Sequence, residues 1–308
     1  MKNSPLISII TPSLNSALFI AEAVESVLSQ DYPNFEHIII DGGSTDGTRE
    51  LLCAYPHLRI ISEPDRGIYY ALNKGIWLAQ GEIIGHLNSD DFYEKNVFAQ
   101  IAKSFSEHPT IDAIRGGATV FEDLANGSRR IVAQYIAPSD LDSSFRTIAL
   151  GVPTINAYFF RKHVYDQIGL YDTSYTISAD RDFLLRVALS GVNCMYLRHT
   201  VYHYRQHSGS LTMNRQAVPW FKIRDEHLRM AERYLQADLV SPQTKRVLKL
   251  WHTGAAAEGV LQALREIKPL KAIRYVLRGW LHDPWWPMAF FSYFFSKVAL
   301  LAKSRRNE

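Results

Sequence analysis

Four short apolar runs, LISII (6–10), FEHIII (35–40), LRIIS (58–62) and EIIGHL (82–87), each end in a turn crowded with oxygen-bearing side chains: TPSLN, DGGSTDGT, EPDRG and NSDD. Helical periodicity fills the gaps between them. Residues 16–30 place Phe19, Ile20, Ala23, Val24, Val27 and Leu28 at i, i+3, i+4 spacing. GGSTDGT opens a second helix through about Ala54, with Ser44 or Thr45 as its cap and Asp46 in the first turn. IYYALNKGIWLAQ reads as a third. Strands this continuously apolar, alternating with amphipathic helices, predict an α/β fold with a mostly parallel sheet covered on both faces. Ligands of such sheets bind outside the carboxyl ends of the strands. Asp41, Asp65, Asp90 and Asp91 all fall there, so one acid-lined crevice is expected.

The pattern changes after Asn96. Residues 111–135 read as short strands with a hairpin turn at ANGS (125–128), and TINAYFF (154–160) as a further strand. SADRDFLLRVALSG is amphipathic with Asp180 at its entry, and NCMYLRHTVYHYRQH reads as one or two strands. From about Trp220 the chain is mostly helical and increasingly basic.

Composition removes several function classes. A net charge of +3 over 308 residues gives no footprint for nucleic acid. Two cysteines, Cys53 and Cys194, make neither a disulfide framework nor a metal cluster, and the apolar stretch before Pro12 is too short for a signal peptide, so a cytoplasmic protein is expected. G-x-S-x-G, the phosphate-loop pattern and the G-x-G-x-x-G fingerprint are all absent. What remains is a carboxylate pair able to hold Mg²⁺ or Mn²⁺ against the phosphates of a nucleotide diphosphate.

SIITPSLN, YPNFEHIIIDGGSTDGT, EPDRGIYYALNKG, GEIIGHLNSDD, SADRDFLLRV and YRQHSGSLT, in this order, resemble inverting glycosyltransferases of family 2 with the GT-A (Rossmann-like) fold. The resemblance covers about residues 6–210. It implies a catalytic domain over 1–215, divided into a nucleotide-binding part (1–110) and an acceptor-side part (111–215), ahead of a helical region over 216–308. The implied reaction is attack of an acceptor hydroxyl on a nucleotide-sugar donor, most simply a UDP-sugar, with inversion. By position, Asp90 contacts ribose or metal and Asp91 binds the Mn²⁺ or Mg²⁺. Asp41 reads the base ring, Thr11 and Pro12 line the nucleoside, and Asp65 and Arg66 lie beside base and diphosphate. His207 closes over the diphosphate as a further metal ligand, with Arg205 available to phosphate. Asp180 aligns with the general base. Two departures stand out: Asn88 where many members carry an acid, and Ala179 where the base is usually preceded by Glu. The rival readings are transfer onto a polyprenyl monophosphate, which needs no base, and a non-catalytic nucleotide-sugar-binding protein.

The stretch 280–306 is dense in aromatics and closes on Lys303, Arg305 and Arg306. Lys297 and two prolines make it marginal as a membrane span. Its segment admits three partners: the protein's own core, a second copy in a homodimer, or the inner face of the cytoplasmic membrane. Trp285 and Trp286 beside a basic end favour the membrane surface, and with it a glycan acceptor linked to lipid in surface polysaccharide assembly.

Overall fold

The protein is described by a computed structural model over residues 4–152, 154–210, 220–237, 240–288 and 290–291. It divides into two compact units, residues 1–148 with 152–217, and residues 149–151 with 218–308.

The first unit runs β1 (Ile7–Ser13), α1 (Ile20–Leu28), β2 (Phe35–Asp41), α2 (Thr48–Leu52), β3 (Leu58–Ser62), α3 (Ile68–Leu78), β4 (Ile83–His86), β5 (Phe92–Tyr93), α4 (Val97–Glu107), β6 (Ala113–Asp123) and β7 (Arg129–Tyr135). It continues through α5 (Pro138–Leu141), α6 (Phe145–Leu150), β8 (Tyr158–Arg161), α7 (His163–Ile168), α8 (Ala179–Leu189) and β9 (Cys194–Arg205). The sheet order is β3-β2-β1-β4-β8-β6-β9-β5, with β7 paired to β6. The α/β architecture is the expected one. Its parallel part is β3, β2, β1 and β4, whereas β8 runs antiparallel to both β4 and β6. β9 lies parallel to β6 and antiparallel to β5, the short strand that follows Asp91. A residue stretch from late in the chain thus lies against the acid-bearing turn.

Two local expectations change. β1 continues through Pro12 to Ser13, although the apolar run stops at Ile10. β4 pairs with β1 only as far as Ile10, so beyond that point the strand serves one neighbour and a missing N–H is tolerated. The helix after β2 spans only Thr48–Leu52 and begins at Gly47, whose φ of +95° suits glycine, rather than at a Ser44 or Thr45 cap. Ser44 is instead bonded to Asp41, and the Thr48 N–H is taken by Asp46 Oδ1 at 3.1 Å. The hairpin turn at 125–128 is present, with the Leu124 N–H on Ser128 O at 2.8 Å.

The second unit is α9 (Trp220–Leu235), α10 (Pro242–Arg265) and α11 (Pro269–His282). Ser241 Oγ accepts from the Thr244 N–H at 3.1 Å and Pro242 follows it, a capped start for α10. Ala255, Ala256, Ala257 and Ala263 are buried against Leu228, Tyr275 and Trp286, so the helices approach on small side chains. A Cβ on Gly259 would lie 2.6 Å from the Tyr275 ring. Glu232 of α9 is the polar hub: it accepts from Arg278 at 2.7 and 2.8 Å and lies 3.2 Å from His252 Nε2. Burial would raise its carboxyl, but these partners hold it down at about 2. No described helix is long and apolar enough to cross a membrane.

Candidate active site

The loops at the carboxyl ends of β1, β2 and β4 are tied to one another. The Asn15 N–H donates to Ser44 Oγ at 2.8 Å, and the Thr45 N–H returns to Asn15 Oδ1 at 3.0 Å. Ser16 Oγ meets Ser89 Oγ at 2.7 Å, which links the first loop to the loop that carries Asp90. Asp46 accepts from the Ala17 N–H and Thr48 Oγ1 accepts from the Ser16 N–H, so both of these residues brace the loops. Asp41 is fully buried under them. Burial pushes its carboxyl up, but the hydroxyls of Ser44 and Ser62 and the N–H groups of Ser44 and Gly43 more than offset this, leaving it below the usual carboxylate range. Asp65 sits above this point: a Cβ on Gly42 would be 3.1 Å from Asp65 Oδ2. Arg66 is exposed beside it. Thr11 turns its hydroxyl inward to His37 Nε2 at 2.9 Å, and both Thr11 and Pro12 are buried.

The two adjacent acids are treated in opposite ways. Asp91 is 3% exposed and spends both oxygens internally: Oδ1 accepts from the Arg205 N–H at 2.7 Å, and Oδ2 from Tyr202 at 2.8 Å and Asn88 at 3.0 Å. Burial and the neighbouring Asp90 charge push its carboxyl well up, against those three donors. Asp90 remains partly exposed, and its Oδ2 lies 2.9 Å from His207 Nε2. The expected trio of metal ligands therefore separates. Asp90 and His207 are bonded to each other, while Asp91 is turned inward and fixes the turn.

Arg205 does not face outward to a phosphate. It is 4% exposed, stacks on Phe19 and Phe121, and forks between Glu22 and Asp123, with Nε on the Asp90 carbonyl at 2.8 Å. Asn73 and Lys74 are likewise engaged within the protein, Asn73 with the Tyr171 backbone and Lys74 with Glu63.

Asp180 stands in the first turn of α8. Burial raises its carboxyl, with the Arg181 charge and the Tyr69 hydroxyl opposing. Tyr69 of α3 donates to the Ile177 carbonyl at 2.7 Å and to Asp180 Oδ1 at 3.2 Å. Asp182 is fully buried and is held to Arg186 Nε at 2.8 Å, while Arg186 also caps the carbonyls of Ile168, Gly169 and Leu170. That leaves Asp180 as the acid of this helix with a partly exposed side chain. Burial and the charges of Asp91 and Asp180 raise the Tyr204 phenol, against the Asn156 N–H, from which it accepts at 3.2 Å.

Because Tyr69 stabilises the ionised form of Asp180, Tyr69→Phe is expected to move the acidic limb of the pH–activity profile to higher pH. The accompanying loss of rate at neutral pH should be about 3- to 10-fold. A kcat/KM profile whose limb does not move would show that the Tyr69 contact has no influence on Asp180.

Several residues of this site carried no sequence signal. Tyr202 joins Asp91, the Asn88 N–H and Asn156 Nδ2 at 2.8, 3.0 and 3.1 Å. The one clue to it was a strand-like run, HTVYHYR, unusually rich in polar tips for a buried strand. Glu22 and Asn156 had none. His86 is a core residue, 1% exposed between Tyr165 and Tyr171, with burial holding its imidazole down at about 3.

Residues 8–169 match glycosyl transferase family 2. The chain is 32% identical over 189 residues to a PGL/p-HBAD biosynthesis glycosyltransferase of Mycobacterium bovis, covering 59% of this chain and 70% of that protein. A Bacillus subtilis protein named for teichuronic acid biosynthesis, TuaG, is 35% identical over 124 residues, 39% of this chain and 49% of its own. Among solved structures, S. aureus TarS 1–349 in complex with UDP-GlcNAc superposes with a TM-score of 0.64 at 18% identity, covering 92% of each chain. A mannosyltransferase of Pyrobaculum calidifontis, in complex with GDP-Man and Mn²⁺, superposes with a TM-score of 0.59 at 17% identity over 100% of this chain and 89% of its own. At these identities the two structures speak to fold.

Proposed function

The chain belongs to glycosyl transferase family 2, and from that premise we propose that it moves one sugar from a UDP-sugar to an acceptor hydroxyl, with inversion, at a site held by Asp90, His207 and Asp180. The observation that carries this reading is the meeting of Asp90 Oδ2 and His207 Nε2 at 2.9 Å, from loops 117 residues apart in sequence.

A carboxylate oxygen and an imidazole nitrogen converging at the edge of the crevice form a donor set that suits Mn²⁺, or Mg²⁺ through the carboxylate. His207 Nδ1 accepts from the Gly209 N–H at 3.2 Å, so ligation through Nε2 requires the proton to shift to Nδ1 and that contact to be released. When bound, the ion neutralises charge on the diphosphate leaving group. Asp65 and Arg66, exposed above the buried Asp41, are assigned to the base and diphosphate, while Asp41, its oxygens taken by Ser44, Ser62 and Gly43, and the buried Thr11 and Pro12 hold the loops beneath them. Asp91 fixes the turn on which Asp90 stands. Asp180 takes the proton of the acceptor hydroxyl as its oxygen bonds to the anomeric carbon and the bond to the diphosphate oxygen breaks. Its carboxyl is raised by burial, which makes it a stronger base at neutral pH. A phosphate acceptor would have no use for such a group, so a hydroxyl acceptor is the better reading. The acceptor is proposed to be a glycan carried on a lipid, approached by a protein that works at a membrane surface.

Isothermal titration of UDP and GDP, each with and without Mn²⁺, tests the donor site on the wild type and on Asp90→Ala. UDP affinity should rise with Mn²⁺, and the substitution should weaken the metal-dependent binding at least about 10-fold. Binding indifferent to both metal and substitution would overturn the assignment of Asp90 and His207.

A further inference from the structure

Helix α11 has two apolar faces. At about 100° per residue, Ala272, Tyr275 and Gly279 fall on one side, and that side is buried in the second unit. Leu270, Ile273, Leu277, Trp280 and Leu281 fall on the opposite side and are 52–82% exposed. The stripe continues past the helix in Trp285, Met288 and Phe291, also exposed, while Trp286 turns inward against Gly279. A patch of this extent on a soluble surface marks an interaction site.

Charge selects the occupant. Pro269–His282 carries Lys271, Arg274 and Arg278 and no Asp or Glu. Arg278 is held by Glu232, which leaves Arg274 beside the stripe and Lys271 a little further round, its Nζ 4.2 Å from the centroid of the Phe221 ring. Two exposed tryptophans at its end suit the headgroup level of a bilayer. A second copy of the same helix would bring cations against cations, whereas an anionic lipid surface complements them.

We propose that this face of α11 lies flat on an anionic membrane surface, with the five apolar side chains among the acyl-chain ends and Lys271 and Arg274 against lipid phosphates. The contact starts at Leu270, ten residues before the 280–306 segment expected from composition, of which 289 and 292–306 fall outside the described residues. The inference rests on the reading of a membrane-bound acceptor but is tested without donor or acceptor.

The full-length protein would be floated with vesicles of pure phosphatidylcholine and of phosphatidylcholine with phosphatidylglycerol. The wild type should bind the anionic vesicles, with binding falling as salt is raised. Leu277→Asp/Leu281→Asp should weaken partitioning about 10-fold or more, and Lys271→Glu/Arg274→Glu should remove the preference for anionic lipid. Circular dichroism checks that the variants fold, and UDP titration in solution should be unchanged in them. Vesicle binding unaffected by both pairs would overturn the proposal. So would a wild type that ignores vesicles, whether it stays monomeric or forms a dimer that the leucine substitutions dissociate. Loss of UDP binding in the wild type would instead count against the donor-site reading alone.

Discussion

Asp180→Asn is expected to lower kcat by about 10²- to 10⁴-fold, the range that a positioned general base supplies. In barrier terms that is about 3–5 kcal/mol. Asparagine keeps the shape of the side chain, including an oxygen able to accept from Tyr69, so UDP binding should stay within about twofold of wild type. The pH profile gives a second reading. In the wild type, rate should rise with pH as Asp180 loses its proton, and this acidic limb should lie above the ordinary 3.8 because burial raises the group. In the variant the limb should vanish. Retention of activity within about tenfold would mean that the acceptor arrives already ionised, and the base role of Asp180 would be wrong.

Arg205→Leu should strike stability and site together. The guanidinium is buried, while its partners Glu22 and Asp123 are 38% and 41% exposed at their side chains. Breaking a fully buried pair costs about 3–5 kcal/mol; acids that can turn partly to water reduce this to about 2–3 kcal/mol here. Lysine should not rescue it, because one ammonium cannot reach two carboxylates and the Asp90 carbonyl at once. Urea unfolding measures the first effect, and titration of UDP with Mn²⁺ the second, where about a 10-fold loss is expected as the turn bearing Asp90 loosens. An Arg205→Leu protein of unchanged midpoint and unchanged affinity would show that the cluster is ornamental to both.

The parallel half of the sheet was legible because β1, β4 and most of β2 are buried on both faces and read as nearly unbroken apolar runs, with the half-exposed β3 at the edge keeping the same pattern. Their acid-rich ends then located Asp41, Asp65, Asp90 and Asp91 without any need for long-range information. Asp180 could be found from its place at a helix start after a polar turn. The cluster under Asp91 could not be found this way. Its donors, Tyr202 and the Arg205 N–H, lie more than a hundred residues downstream, and pairing at that separation leaves no local period. Arg205 shows the limit most plainly. Beside His207 it looked like a phosphate ligand, since sequence displays a charge but not a partner 183 residues away. The Ser44 cap failed for a related reason: its hydroxyl donates to the buried Asp41 and accepts from the Asn15 N–H instead of a helix N–H, and only the fold reveals that Asp41 is buried.

The position of β9 also orders events in time. Asp91 is enclosed by atoms that belong to residues 202 and 205, and β9 is the strand that fills the gap between β6 and β5. A nascent chain leaving the ribosome can lay down β1 to β4 early, from neighbours in sequence. It cannot seal the turn that carries the paired acids until Arg205 has emerged, and until then Asp91 has only Asn88 to satisfy it. His207, the proposed partner of Asp90 at the metal, follows within two residues. On the proposed site, the meeting of Asp90 with His207 is thus among the last contacts of the first unit that synthesis permits.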